Sequence, residues 1–355
     1  MLLLIVDELF GSRFLYCTLT LVIMDLGDVA HRALRLLPAE TAHDIGVWGM
    51  KHRIFATGSA QDVSGVILFD HNFRNRLGIA AGFDKYAQIV DRAEDYGFAW
   101  IEEGSFTNEG GEGNPGKRLF RLENGGLLNR MGLNCLPSVE AAEILRSKRH
   151  YSFAVSIAKT HNPSIVGDKA IRDVARSYKI LKDLGIYTAI NLSCPNTAEG
   201  KTFEESEPLL ELLSALNEVG KGRPRIIKLS PNLPLEKLAE IVHVSEPHVD
   251  GYELGNTIPY THSSYGKGGR SGPYLRDWAL NSISRLAKLT SKPILGCGGI
   301  SSGQDLYDTI KAGATVALVY SGFVSYQGGS GFANRVNREC ETIMRKNPII
   351  TSRPK

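Results

Sequence analysis

Leu77-Gly78-Ile79-Ala80-Ala81-Gly82-Phe83-Asp84-Lys85 is the stretch on which the fold turns. An apolar run of strand length ends in small residues and then in a charged pair. In a doubly wound sheet the first such turn carries G-x-G-x-x-G, whose glycines let a pyrophosphate approach a helix N-terminus. This turn lacks that spacing. Seven further β-rich runs follow, at residues 98–104, 152–158, 188–193, 225–230, 251–255, 293–296 and 316–321, most of them ending in Gly, Ser or Asn. Helical spacing fills the intervals, at 169–184, 208–219, 235–244, 276–289 and 303–312, with a closing helix from about 331 to 345. Eight strand-then-helix units predict an α/β fold of the (β/α)8 TIM-barrel type. A doubly wound sheet is the runner-up.

Composition agrees with a folded enzyme. Apolar residues make up 43% and charged residues 22% of the chain, as in ordinary globular proteins. The 37 glycines cluster after apolar runs, which fits loops that approach a ligand closely. The net charge of +3, without a basic–aromatic stripe, argues against nucleic acid as a partner. Cys17, Cys135, Cys194, Cys297 and Cys340 are scattered and form no C-x-x-C pair, so no metal centre or disulfide framework is expected. A reducing compartment is the simplest setting.

Two parts stand outside the repeat. Residues 103–136 are too long for a simple loop and contain a β-like piece at 118–122. Residues 25–57 read as two short amphipathic helices, 28–37 and 39–55, around Pro38. Such a pair can cap the barrel or lie on a membrane surface, where Arg32, Arg35, Lys51, His52 and Arg53 would form a basic edge. Residues 1–24 are apolar but broken by Asp7, Glu8 and Arg13, and the run 14–24 is about half a bilayer span. Met24 is an alternative start. The expected division is a leader and helical cap at 1–57 and a barrel at 58–355.

Barrel sites sit at the C-terminal strand ends. Those ends carry Asp84-Lys85, Gly104-Ser105, Asn191-Leu192-Ser193-Cys194-Pro195-Asn196-Thr197, Lys228, Asn256-Thr257, Gly296-Cys297-Gly298-Gly299 and Tyr320-Ser321-Gly322. The last two form the usual phosphate corner, where glycine-freed N–H groups favour an anion. A phosphorylated cofactor is expected on that ground. Lys228, set inside an apolar run, needs a buried partner or a function. Asp84 can simply pair with Lys85.

These motifs, with residues 118–122 and Asn129-Arg130-Met131-Gly132, stand in an order that resembles the dihydroorotate dehydrogenases from about residue 28 to 345. The resemblance implies FMN-dependent oxidation of (S)-dihydroorotate to orotate in pyrimidine (UMP) biosynthesis. It implies FMN contacts by Ala80, Ala81, Gly82, Ser105, Ser156, Asn191 and Lys228. Ser271, Gly272, Gly298, Gly299, Tyr320 and Ser321 would hold the phosphate side. Lys85, Asn129, Met131, Gly132, Leu133, Asn191, Asn196, Asn256 and Thr257 match substrate positions; an asparagine offers a pyrimidine edge both a donor and an acceptor. Cys194 matches the catalytic base.

The chain mixes two branches of that family. The cap-like stretch at 37–43, together with His43, Arg121 and Tyr320 at quinone-tunnel positions, resembles the membrane-associated, quinone-reducing branch. That branch implies peripheral association with the cytoplasmic face of a bacterial membrane or with the inner mitochondrial membrane. Cys194 stands where it has serine, as in the soluble branch. Ser156 and Leu133 replace an asparagine and a phenylalanine. Weighing many cap residues above one base favours the quinone branch. The alternatives are a soluble-type enzyme using fumarate or another diffusible acceptor, an enzyme for a related dihydropyrimidine, and a barrel that only binds flavin or lipid. Taken alone, His43 is a helix-surface or core histidine, and Cys135 and Cys297 are packing residues.

Overall fold

The computed structural model describes residues 26–58, 60–193, 202–324 and 328–349. Strands Leu77–Ile79, Ile101–Phe106, Phe153–Ile157, Thr188–Asn191, Arg225–Leu229, Gly251–Leu254, Ile294–Cys297 and Val316–Val319 close, in chain order, into one barrel. Every pairing is parallel. The expected (β/α)8 architecture is therefore the observed one.

Helices Ser138–Ser147, Asp168–Leu181, Ser206–Glu218, Leu235–Ser245, Arg276–Leu289, Gly303–Lys311 and Phe332–Lys346 cover the outside. Their periodicity explains why. Phe332, Ala333, Val336 and Cys340 recur at helical spacing and are all buried. Gly303–Lys311 starts at a reciprocal cap between Ser302 and Asp305.

The first unit departs from the repeat. Residues 85–97 form turns, not a helix. The Asp84 carboxylate accepts the N–H groups of Tyr86 (3.0 Å) and Ile89 (2.7 Å), an alternative to helical bonding. Ala87 sits at φ 52°, where a right-handed helix cannot continue. Asp84 is thus spent on backbone, and the expected pairing with Lys85 is not what holds it.

Two hairpins close the ends of the barrel. Val66–Leu68 pairs with His71–Phe73 below it. The Phe73 ring meets Trp100 edge-on at 4.6 Å and plugs the bottom. Above the mouth, Ile258–His262 and Gly266–Ser271 form a second hairpin. Gly266–Ser271 also pairs with Leu127–Asn129, which pairs with Leu119–Arg121. The β-like piece at 118–122 is therefore the edge of a four-stranded sheet built from two distant barrel loops.

Residues 26–34 and Ala39–Lys51 are helical. The second helix buries Val47 and Met50 and is tied to the sheet by an Arg118–Glu40 ion pair. Arg121 Nη1 donates to the Leu37 carbonyl at 2.5 Å.

Candidate active site

Parallel register places Asn191, Lys228 and Glu253 side by side on three adjacent strands, all facing the barrel interior. The Lys228 Nζ lies 2.6 Å from Glu253 Oε1 and 3.4 Å from Glu102 Oε1. All three side chains are buried. Burial pulls the ammonium down, but the carboxylates of Glu253 and then Glu102 outweigh it, and Lys228 is held above the ordinary lysine range. Tyr187 donates to Glu102 Oε2 at 3.1 Å and accepts from Trp100 Nε1 at 3.1 Å. The cation expected to need a partner has two.

Over this floor opens a cavity of about 540 Å³. Ala80, Ala81, Gly82, Ser105, Lys228 and Asn191 form one side of its wall. Ser271, Gly272, Gly298, Gly299, Tyr320 and Ser321 form another. Lys85, Asn129, Met131, Gly132, Leu133, Asn256 and Thr257 complete it. Nearly every predicted position among the described residues thus converges on one space. Ser156 is the exception. It is fully buried behind the wall, with its Oγ 2.8 Å from Ser105 Oγ, so it orients Ser105 and does not line the cavity. Cys194 and Asn196 lie outside the described residues.

Local bonds set the pocket's polar groups. Ser193 Oγ donates to Asn191 Oδ1 at 2.8 Å and accepts from Asn256 Nδ2 at 2.6 Å. The Thr257 N–H donates to Asn256 Oδ1 at 2.8 Å. Burial pulls the Lys85 ammonium down to about 8, with Asp84 opposing and Arg118 reinforcing. Burial pushes the Cys297 thiol up to about 12, with Lys228 opposing. Gly299 adopts φ 72°, and a Cβ there would lie 2.8 Å from the Arg276 backbone, so only glycine keeps this corner open.

A second cavity, of about 370 Å³, lies between the cap helices and the barrel. Ala42, His43, Ile45, Trp48, Phe83 and Phe323 give it an apolar wall, with Arg121 at its margin. Leu119, Leu127 and Tyr320 line both cavities. The His43 ring stacks on Tyr320 at 6.2 Å and meets Phe83 edge-on at 5.1 Å. Burial, then Lys85, drives its pKa down to about 3, so the imidazole is neutral. His43, Arg121 and Tyr320, grouped by sequence, are grouped in space.

Residues 65–344 match the family profile described as dihydroorotate dehydrogenase. The chain belongs to the dihydroorotate dehydrogenase family. It is 35% identical over 318 residues to the dihydroorotate dehydrogenase (quinone) of Myxococcus xanthus, covering 82% of this chain and 86% of that one. It is 33% identical over 342 residues to the mitochondrial dihydroorotate dehydrogenase (quinone) of Mus musculus, covering 89% and 86%. Its fold is similar to that of Eimeria tenella DHODH in complex with ferulenol, with TM-score 0.79, 27% identity and coverage of 87% and 92%.

Within this dihydroorotate dehydrogenase fold, sequence reasoning missed several wall and floor residues. Lys159, His161 and Asn162 reach the cavity from the loop after the third barrel strand. The Lys159 Nζ is held by the carbonyls of Thr160 (2.8 Å) and Asn162 (3.3 Å). Glu102 and Glu253 were also missed, although each is a charge inside an apolar strand, the signal that singled out Lys228.

Proposed function

We propose that this chain oxidises dihydroorotate to orotate in the barrel-mouth cavity, with FMN as cofactor, and passes the electrons to a quinone in the cavity under the cap. One observation carries this reading. A cavity with polar groups over a buried lysine and an apolar cavity share a wall at Leu119, Leu127 and Tyr320. The names of the relatives and the family point the same way.

The residues present fit the cofactor. Gly272, Gly298 and Gly299 leave backbone N–H groups and space for one phosphate. Ser271 and Ser321, with hydroxyls 2.8 Å apart, line the same corner and could both turn to an anion. A bound flavin supplies a two-electron acceptor. Lys228, lining the cavity, would supply positive charge to a bound flavin that takes up electrons. Asn129, Asn191 and Asn256 present amide groups to a planar ring, and the Ser193 bonds fix the orientation of two of them. Cys194 would take the proton from C5 of the substrate as hydride leaves C6; a thiol with an ordinary pKa of ~8.5 serves as a base once partly ionised. His43, neutral and buried, offers no charge to the second cavity, which suits an uncharged acceptor.

The cap also supports peripheral membrane association, at the cytoplasmic face in a bacterium or at the inner membrane of a mitochondrion. Leu36, Val29, Trp48 and Leu26 are exposed on it, Leu36 to 88%. A patch of this kind with a basic edge suits a lipid surface. Among the described residues no helix is long and apolar enough to cross a membrane. The deciding experiment is anaerobic mixing of the purified protein with dihydroorotate, then with a short-chain quinone or fumarate. Bleaching by dihydroorotate and recolouring by quinone alone is expected. Recolouring by fumarate would support the soluble-type reading, and FAD or no flavin in the protein would contradict the assignment of the cavity.

A further inference from the structure

Glu253 is a buried ionisable group to which the reaction above gives no task. It lies in register with Lys228 and contacts it at 2.6 Å, while Glu102 contacts the same ammonium at 3.4 Å. Glu102 has a second partner in Tyr187. Beyond Lys228 and the facing Glu102 carboxyl, Glu253 has no hydrogen-bond partner among the described residues, and no hydroxyl holds it as Tyr187 holds Glu102.

Two ionised carboxylates against one ammonium leave a net negative charge in a buried cluster. Like charges this close do not both ionise readily. The other titratable groups facing the cluster are Tyr187 and Cys297, and both are held protonated and neutral by burial. Further negative charge is therefore relieved at a carboxyl, and Glu253 is the one that no hydroxyl donor stabilises as a carboxylate. Burial, then Glu102, pushes it well above the usual carboxylate range, with Lys228 offsetting part of the effect.

We propose that Glu253 is a proton-linked positioning residue: toward alkaline pH, where its carboxyl is ionised at rest, it gains one proton when negative charge enters the cavity over Lys228 and loses it when that charge leaves. The inference rests on the reading of the cavity as a flavin site. Two electrons enter the cavity from the substrate being oxidised. At Glu253 only an O–H bond forms, a carboxylate plus a solvent proton giving a carboxylic acid, and the same bond breaks on reoxidation. Protonated, Glu253 no longer opposes the Lys228 charge, so the ammonium, opposed by Glu102 alone, acts more strongly on the cavity.

The test is the reduction potential of the flavin-loaded protein across the neutral and alkaline range. One extra proton per two electrons steepens the potential by ~30 mV per pH unit within the window where Glu253 titrates. Glu253→Gln, close to isosteric and unable to titrate, should lose that excess and lie above the parent at alkaline pH. Coincident potentials at every pH overturn the inference and leave the flavin site standing. Protein without flavin overturns the site and the inference together. Should Glu253→Gln fail to hold the cofactor, the reduced-minus-oxidised infrared spectrum of the parent decides. A gain of carboxylic-acid carbonyl absorption on reduction supports the proposal, and no gain overturns it.

Discussion

The cavity over Lys228 and the cavity beneath the cap are neighbours made of opposite materials. The first has three buried ionisable groups in its floor and four asparagines in its wall. The second is walled mainly by aliphatic and aromatic side chains, with a neutral histidine at the partition. Their shared wall is Leu119, Leu127 and Tyr320. The contrast teaches that the buried charge lies under the first cavity, while the second, among the described residues, carries charge only at Arg35 and Arg121. On the proposed reading, the substrate and its anionic product lie over the lysine and the uncharged acceptor under the cap.

The largest effect is expected where the contrast is strongest. Lys228→Met leaves Glu102 and Glu253 buried without their cation, and breaking such a cluster costs ~3–5 kcal/mol. Chemical denaturation should show that loss together with poor flavin retention. A change within ~0.5 kcal/mol, the range of ordinary surface substitutions, would mean the cluster is not the floor's organising feature.

Removing residues 1–57 should separate the two sides. Flavin reduction by dihydroorotate should persist, because among the described residues the first cavity takes no lining side chain from the cap. Quinone reduction and vesicle binding should be lost. Truncated protein that still reduces quinone at the parent's rate would show that the second cavity is not the acceptor site.

The neutrality of His43 has a pH signature. Its folded pKa of about 3 lies below the ordinary 6.5, so the unfolded chain takes up the proton first as pH falls. This group's contribution is present above pH 6.5 and is lost as pH falls from there toward 3. The slope is at most ~1.4 kcal/mol per pH unit. His43→Phe should flatten the acid limb of a stability–pH curve, and an unchanged limb would mean that His43 is charged or solvated in the fold. A smaller effect is expected from Arg121→Ala, which removes the bond to the Leu37 carbonyl. The cost should be ~1 kcal/mol, typical of one partly exposed hydrogen bond, seen as a modest loss of cap protection in hydrogen exchange.

The barrel was legible in the sequence because its strands are short apolar runs with polar ends. The run read at 225–230 is observed as Arg225–Leu229, and the run at 316–321 as Val316–Val319. The missing first helix was not legible, since it depends on how the Asp84 carboxylate spends its bonds. The hairpins at 66–73 and 258–271 escaped for another reason. Their pairing partners are set by tertiary contacts, and His262-Ser263-Ser264-Tyr265-Gly266 carries little strand signal. In the site, the glycine corners and the asparagines Asn129, Asn191 and Asn256, singled out by spacing and resemblance, line one cavity. Ser156 stands behind Ser105, its hydroxyl bonded to the Ser105 hydroxyl, and depth along a strand is not legible from a motif position. Glu102 and Glu253 could have been found by asking of them what was asked of Lys228.

The division of labour between the two cavities is tested most directly by filling one of them. Gly46 lines the cap cavity, and a Cβ added there would meet nothing within 4 Å. Gly46→Phe should therefore place a ring in that space without distorting the helix. In anaerobic stopped flow, the variant should be reduced by dihydroorotate at the parent's rate. Its reoxidation by a short-chain quinone should fall by at least ~10-fold, the equivalent of ~1.4 kcal/mol. Reoxidation at the parent's rate, or a matching loss in the reductive step, would contradict the separation of the two sites.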